Sequence, residues 1–351
     1  MSAAAAVLRE EIGGQPAVWR ALVARGAQVA EVAAALDALD PPLVRIAAHG
    51  TSDHAGIYAT YLLRALRGWT VVRDSMSMPL YYGSPAARPG ELAVGISQSG
   101  ETPDVVAWLE RAGREGATTL AITNGEGSSL ARIADHVLAI GAGAERSIAA
   151  TKTYTGTLAA IALLAGQLAG RGPQLADALV ATADAADALL DGLDAAVAPV
   201  AAALARIDRM YLVARGIELA TANEVALKLT EVCYLGAKAM SATAMAHGPV
   251  AALDADVPLW AIAAPDATLP AVAEAVRRAR AAGAPVIASG PAAAALDGAA
   301  FALPVPVVPA EPLLSPLLSV LPGQAFAWAL AGAKGIDAGA PRHLRKVTSA
   351  A

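Results

Sequence analysis

The chain has 351 residues, enough for two domains of ordinary size with a large core. Its 26 Lys and Arg against 31 Asp and Glu leave a net charge of −5 with no polybasic run, which argues against nucleic acid and anionic membrane as partners. The apolar runs Leu158 to Ala169 and Val197 to Ala205 are too short to cross a bilayer, and the first residues lack the basic segment of a signal peptide, so a cytoplasmic location is expected.

In chain order, the pattern predicts a helix over Ala17 to Leu39, a strand over Val44 to Ala48, a helix over Ala55 to Leu66 and a strand over Thr70 to Arg73. A strand over Leu92 to Ile96, a helix over Pro103 to Glu115, a strand over Thr119 to Ile122, a helix over Ser129 to Ala134 and a strand over His136 to Ala139 follow. That is five parallel strands, mostly with helical crossovers. Between the third strand and its helix lies Ser97-Gln98-Ser99-Gly100-Glu101-Thr102, with Thr102 suited to cap the helix and Pro103 to its first position. Three hydroxyls and a carboxamide meet there at the positive end of a helix dipole, which favours a phosphate; an ordinary capped turn has the same composition. The loop has no Lys or Arg, so it would hold a phosphate by hydrogen bonds and not by charge.

Ligands of such sheets bind outside the carboxyl ends of the strands, and His49-Gly50-Thr51-Ser52-Asp53 falls there too. Thr51 and Ser52 equally suit N-caps of a helix from Asp53. A third polar loop, Glu145 to Lys152, precedes a helix over Lys152 to Ala169 and could wall the same crevice.

Gly170-Arg171-Gly172-Pro173 breaks the chain, and Gln174 to Ala205 reads as a helical bridge. A strand over Met210 to Val213, the loop Ala214-Arg215-Gly216 and a helix over Ala220 to Tyr234 then repeat the opening of the first lobe. Strands over Leu259 to Ala263, Pro285 to Ala288 and Ala302 to Val307 complete a second sheet. The fold class is therefore α/β, two similar doubly wound parallel-sheet lobes from an internal duplication. On the second lobe's first helix, Glu224, Lys228 and Glu231 stand at i, i+4 and i+7, on one face. A solvated Glu–Lys pair has that spacing, but Leu227, Leu229, Val232 and Tyr234 make much of the remaining surface apolar, and charges in a buried helix are expensive unless paired or used. His247 sits in the loop Ala246-His247-Gly248-Pro249. The one cysteine, Cys233, can form neither an internal disulfide nor a thiolate metal cluster and reads as a small buried residue.

Taken together, Gly50-Thr51-Ser52, Ser97 to Thr102, Ala150-Thr151-Lys152, Glu224 with Lys228 and Glu231, His247-Gly248-Pro249 and the terminal Pro341-Arg342-His343-Leu344-Arg345-Lys346 resemble the sugar isomerase (SIS) family. The match runs in family order from about residue 43, and is most similar to the isomerase half of glucosamine-6-phosphate synthase and its stand-alone relatives. The resemblance implies two SIS lobes with flavodoxin-like five-stranded sheets, divided as an N-terminal helical segment 1–42, lobes 43–172 and 206–338, a connecting helix 173–205 and a C-terminal active-site tail 339–351. It also implies a homodimer with sites near the subunit interface and a hexose 6-phosphate as substrate. The phosphate contacts fall on Ser97, Gln98, Ser99 and Thr102, with Thr51 and Ser52 nearby. Glu231 matches the base that moves a proton between C1 and C2, and Glu224 and Lys228 match its supports. His247 matches a ring-opening histidine contributed across the dimer. Lys346 matches a lysine that forms an imine with the ketose, with Arg342 and Arg345 expected to lower its pKa. No metal and no organic cofactor is implied.

The synthase begins with a glutaminase domain whose terminal cysteine liberates ammonia; this sequence starts at Met1-Ser2 and holds only Cys233, so glutamine hydrolysis by that route is not expected. Glu145 to Lys152 also looks more like the stand-alone deaminases. The favoured reaction is therefore glucosamine 6-phosphate to fructose 6-phosphate and ammonia. The alternatives are a fructosamine-6-phosphate deglycase of the same family and a non-catalytic sugar-phosphate-binding regulator. The regulator is disfavoured because the roughly 40 residues ahead of the first strand hold no basic recognition helix.

Overall fold

The computed structural model describes residues 2–308 and 311–346. The chain divides into two compact units. One holds Ala17–Glu145, Lys152–Val180 and the chain from Arg345, and the other holds the chain up to Pro16, Arg146–Thr151 and Ala181–Leu344.

Three helices open the chain: α1 (Ala3–Gly13), α2 (Gln15–Ala24) and α3 (Gly26–Leu39). The single helix expected over Ala17 to Leu39 is thus divided before Gly26, and α1 precedes it, capped by the Ser2 side chain, which accepts from the Ala5 N–H. The first sheet follows with β1 (Val44–Ala48), α4 (Gly50–Arg67), β2 (Val71–Arg73), α5 (Ser77–Tyr82), β3 (Leu92–Ile96), α6 (Pro103–Arg114), β4 (Thr118–Thr123), α7 (Ser129–Ile133) and β5 (His136–Ala139), and then α8 (Lys152–Leu168). Its strands are all parallel in the order β2-β1-β3-β4-β5, with Val44 in register with Val71 on one side and Leu92 on the other. All five residues of β3 are buried, as expected of a central strand covered on both faces. α8 is buried along almost its whole length and packs on α3 and α4.

After α9 (Gly172–Ala203) the second sheet is built by β6 (Arg209–Ala214), α10 (Leu219–Cys233), β7 (Gly236–Ser241), α11 (Ala242–Met245), β8 (Leu259–Ile262), α12 (Leu269–Ala281), β9 (Val286–Gly290) and β10 (Phe301–Pro304), and α13 (Ser315–Ala333) closes the series. The order is β10-β9-β8-β6-β7, again all parallel. Counted from β7, the strands of the second sheet run second, first, third, fourth, fifth, the same flavodoxin-like order as the first sheet.

Other features also depart from expectation, α5 and α12 among the unforeseen helices. β7 was not foreseen, because GAKAMS contains no β-branched residue and, as an edge strand, is only partly covered. α13 was not foreseen either: Pro316 and Pro322 read as breakers, and a helix buried on nearly every side has no amphipathic period to show. The same segment corrects the statement about apolar runs. Pro312–Ala333 is long and apolar enough to cross a membrane by composition, yet it is mostly buried and packs along α10. At the contact of these two helices Gly323 faces Val225 with no space for a Cβ. Cys233 is buried as expected, its Sγ 3.0 Å from the Ala327 carbonyl, and burial pushes its thiol up to about 12.

Candidate active site

In the first sheet the crossover from β1 runs to β2 and that from β3 runs to β4, on opposite sides, so the strand order reverses between β1 and β3. The N-termini of α4 and α6 flank this switch point, where ligands of doubly wound sheets bind. His49 Nε2 and Asp104 Oδ2, from the starts of the two helices, are 3.5 Å apart. α4 begins at Gly50, whose φ of +52° lies in the left-handed region, so Thr51 and Ser52 occupy the first turn and are not caps. Both are half-buried. Asp53, in the same turn, pairs with Arg73 at the end of β2, 2.5 Å away.

The loop from Ser97 to Thr102 is held from within. Ser97 is buried, and its Oγ lies 2.9 Å from Thr102 Oγ1 and accepts the Gly100 N–H at 3.1 Å. Thr102 takes the N-cap position of α6 with Pro103 first in the helix, as expected, but its side chain makes no cap bond. The first-turn amides of α6 are thus not covered by that hydroxyl. Ser99 Oγ accepts from the Glu101 N–H at 3.2 Å, and Gln98 and Ser99 are half-buried. Gly100 has φ +69°, and a Cβ there would fall 2.9 Å from Thr123 Oγ1 and closer still to Ser128, so the turn needs glycine. Glu101 points away to Ser129, whose hydrogen bonds, side chain first and backbone second, hold its carboxyl below the usual range.

The charged set lies on α10. Glu224 is fully buried, Lys228 nearly so, and the Glu231 side chain is 22% exposed. Lys228 Nζ bridges them, 3.4 Å from Glu224 Oε1 and 2.5 Å from Glu231 Oε2. The i, i+4, i+7 spacing therefore forms a buried carboxylate–ammonium–carboxylate row that ends in one partly open carboxylate. Such a row fixes the rotamer of its outer carboxylate, a requirement for a positioned base. His247 lies on an exposed turn, its N–H bonded to the Ala244 carbonyl at 3.0 Å.

Lys346, on the C-terminal segment, has its Nζ 3.3 Å from Oε2 of Glu145. Glu145 is buried and also accepts from the Thr153 backbone N–H (3.2 Å) and Oγ1 (2.5 Å) at the start of α8. Arg342, expected beside Lys346, lies over the Tyr234 ring at 4.1 Å, its backbone N–H donating to the Tyr234 hydroxyl at 2.9 Å. The sequence offered no sign of the Glu145–Lys346 pair, whose members are 201 positions apart.

A family model described as SIS domain matches residues 44–166 and again 203–327. The chain belongs to the SIS family. The two matched stretches are the two lobes with repeated strand order, so the duplication is a pair of SIS domains. Among curated relatives, a glutamine--fructose-6-phosphate aminotransferase [isomerizing] of Thermus thermophilus is 36% identical over 330 residues, 90% of this chain and 53% of that protein. The counterpart in Symbiobacterium thermophilum is 37% identical over 317 residues, 86% of this chain and 51% of that protein. This SIS chain spans about half the length of the curated relatives it matches. Among solved structures, a "putative phosphosugar isomerase" from Silicibacter pomeroyi superposes with a TM-score of 0.83 at 32% identity, covering 95% of this chain and 99% of that one. A glucosamine-6-phosphate deaminase of Thermotoga maritima shares the fold with a TM-score of 0.80 at 17% identity, covering 99% and 100%.

Proposed function

We propose that this SIS protein is an amino-sugar phosphate isomerase and deaminase converting glucosamine 6-phosphate and water to fructose 6-phosphate and ammonia. The observation that carries the reading is the Glu224–Lys228–Glu231 row, because it presents one partly open, rotamer-fixed carboxylate. A carboxylate so held is suited to take the C2 proton of an open-chain 2-amino aldose and return it at C1. With a second proton passed from the amine to O1, the product of that transfer is an imine at C2. Addition of water and loss of ammonia then give the ketose. The names of the curated relatives reported above contain fructose 6-phosphate, which supports the hexose 6-phosphate class.

In this reading the phosphate rests on Ser97, Gln98, Ser99 and Thr102, with Thr51 and Ser52 beside it, where two helix N-termini supply backbone N–H groups. His247 opens the sugar ring from a second copy of the chain, and its exposed turn leaves the imidazole free to reach a neighbouring subunit. Lys346 leaves Glu145 and, once deprotonated, adds to the C2 carbonyl of the open-chain ketose with loss of water, forming an imine. The lobes are assigned as 43–172 and 206–338, flanked by the helical segment 1–42, the connecting helix 173–205 and the tail from 339; the matched stretches 44–166 and 203–327 lie close to those limits. The reaction is assigned to the cytoplasm.

Ammonia release from a panel of amino-sugar and fructosamine 6-phosphates tests the assignment. Turnover is expected with glucosamine 6-phosphate, and Glu231→Gln is expected to lower kcat by ~100-fold or more with KM little changed. Release from a fructosamine 6-phosphate alone would replace the assignment with a deglycase. Near-wild-type turnover by the variant would remove Glu231 from the role of base.

A further inference from the structure

One carboxyl of the second-sheet unit has no part in the chemistry above. Glu218 ends the 3-10 turn Gly216–Glu218 between β6 and α10 and has no exposed surface. Three hydroxyls surround it: Thr221 Oγ1 is 2.6 Å from Oε2, and Ser315 Oγ and Ser319 Oγ are 2.6 and 2.9 Å from Oε1. Thr221 belongs to the first turn of α10, whereas Ser315 and Ser319 stand one turn apart on the same face of α13. A single side chain therefore bonds both helices.

The contact between α10 and α13 has a second feature. Gly323 lets the two backbones approach until Val225 fills the space a Cβ would need. Close packing of this kind sets the distance between helices. Directed hydrogen bonds near one end add resistance to one helix sliding along the other. We infer that Glu218 is a positioning residue: it pins α10 to α13 and so fixes the axial placement of Glu224, Lys228 and Glu231 on the helix it precedes.

The direction in which this carboxyl shifts follows from its surroundings. Burial raises the Glu218 carboxyl above the usual range despite the three hydroxyl bonds, and Asp266, after β8, pushes in the same direction. The facing groups on α10 and α13 are the hydroxyls of Thr221, Ser315 and Ser319, which carry no charge. In the neutral form the carboxyl O–H at Oε2 can donate to Thr221 Oγ1 while Oε1 accepts from both serines, so both oxygens of the carboxyl have partners. A glutamine side chain offers that same pattern, an acceptor oxygen and a donor nitrogen.

The kinetic consequence rests on the reading of α10 as the proton-transfer helix; the pin itself does not. Amide hydrogen exchange, kinetics and thermal unfolding of full-length Glu218→Ala and Glu218→Gln separate the two. Glu218→Ala is expected to speed exchange within α10 by ~10-fold or more while leaving α4 unchanged. Its kcat is expected to fall by ~10-fold with KM moving less than ~2-fold, and Glu218→Gln to match the wild type in both respects. The pH dependence carries a definite sign. The folded wild type keeps a proton that the unfolded chain releases, so its stability falls as pH rises from the ordinary glutamate range through the raised native value, a slope the Gln variant lacks. Should Glu218→Ala not fold, the Ser315→Ala/Ser319→Ala pair reads the same exchange. Unchanged exchange in α10, a Gln variant as impaired as the Ala variant, or identical pH slopes in wild type and Gln variant would each overturn the pin. Absence of turnover with every phosphosugar, alongside the expected exchange and pH slope, would remove the proposed reaction and uphold the pin.

Discussion

Gly323→Ala tests the packing of α13 on α10 most directly. A Cβ at 323 would lie 2.8 Å from Val225 Cγ1 and nearer still to Cγ2. Carbon atoms rest at ~3.5–4.0 Å, so the valine must turn or the helices must part by roughly 1 Å. Overpacking of this kind costs ~1–3 kcal/mol, offset by the ~0.5–1 kcal/mol that alanine gains over glycine inside a helix, leaving a net loss of about 1–2 kcal/mol. Val225→Ala alone removes two buried methyl groups and leaves a cavity, a loss of about 2 kcal/mol. In the double variant the new methyl occupies the space vacated by the old ones. The cycle should therefore show coupling of at least ~1 kcal/mol in the favourable direction, well outside the ~0.3–0.5 kcal/mol of independent sites. Guanidinium unfolding of the four proteins, followed by far-UV circular dichroism, measures it. Losses that simply add would refute the contact and, with it, the close approach of the two helices.

Other expectations concern the site. Ser99→Ala and Thr102→Ala should each weaken binding of a hexose 6-phosphate by ~1–3 kcal/mol in calorimetry, because a charged oxygen loses a donor; equal losses with the unphosphorylated sugar would show that the loop does not read phosphate. Borohydride reduction with fructose 6-phosphate should attach a hexitol phosphate to Lys346, and Lys346→Ala should abolish the adduct. An adduct on Lys152 or Lys228 instead would assign the imine elsewhere. Cys233, with its thiol raised to about 12, should resist iodoacetamide at pH 8 in the native protein and react once unfolded; rapid native alkylation, read by mass spectrometry, would contradict its burial.

The sequence was most readable where one local pattern decides the outcome. β1 and β3 fall on the residues expected, since a short apolar run between turns leaves a buried strand as the reading. The row on α10 was visible because helical spacing alone brings Glu224, Lys228 and Glu231 together. β7 and α13 escaped because tertiary cover, not propensity, makes them. At the site, one escaped partner is near in sequence and the others are distant. Thr102 was expected to cap α6, yet its hydroxyl turns back to Ser97, a choice that only the folded loop presents. Glu145 meets Lys346, and Glu218 meets Ser315 and Ser319, across separations that no local pattern reports.

The shared strand order of the two sheets extends to single residues. The same interval of sequence separates Gly50 from Gly216, Ile96 from Ile262 and Thr102 from Thr268. Both glycines have positive φ just after the first strand of their sheet, and both threonines sit at the N-cap of the helix after its third. At that interval Ser97, Gln98, Ser99 and Gly100 meet Ala263, Ala264, Pro265 and Asp266, while Tyr58, Leu62 and Ala65 of α4 meet Glu224, Lys228 and Glu231 of α10. Tyr58, Leu62 and Ala65 carry no charge where Glu224, Lys228 and Glu231 do, and Ser97–Gly100 offers two hydroxyls and a carboxamide where Ala263–Asp266 offers a carboxylate, which repels anions. In the proposed reaction, anion capture and proton transfer thus fall on separate copies of one scaffold, where each can be retuned without disturbing the backbone of the other.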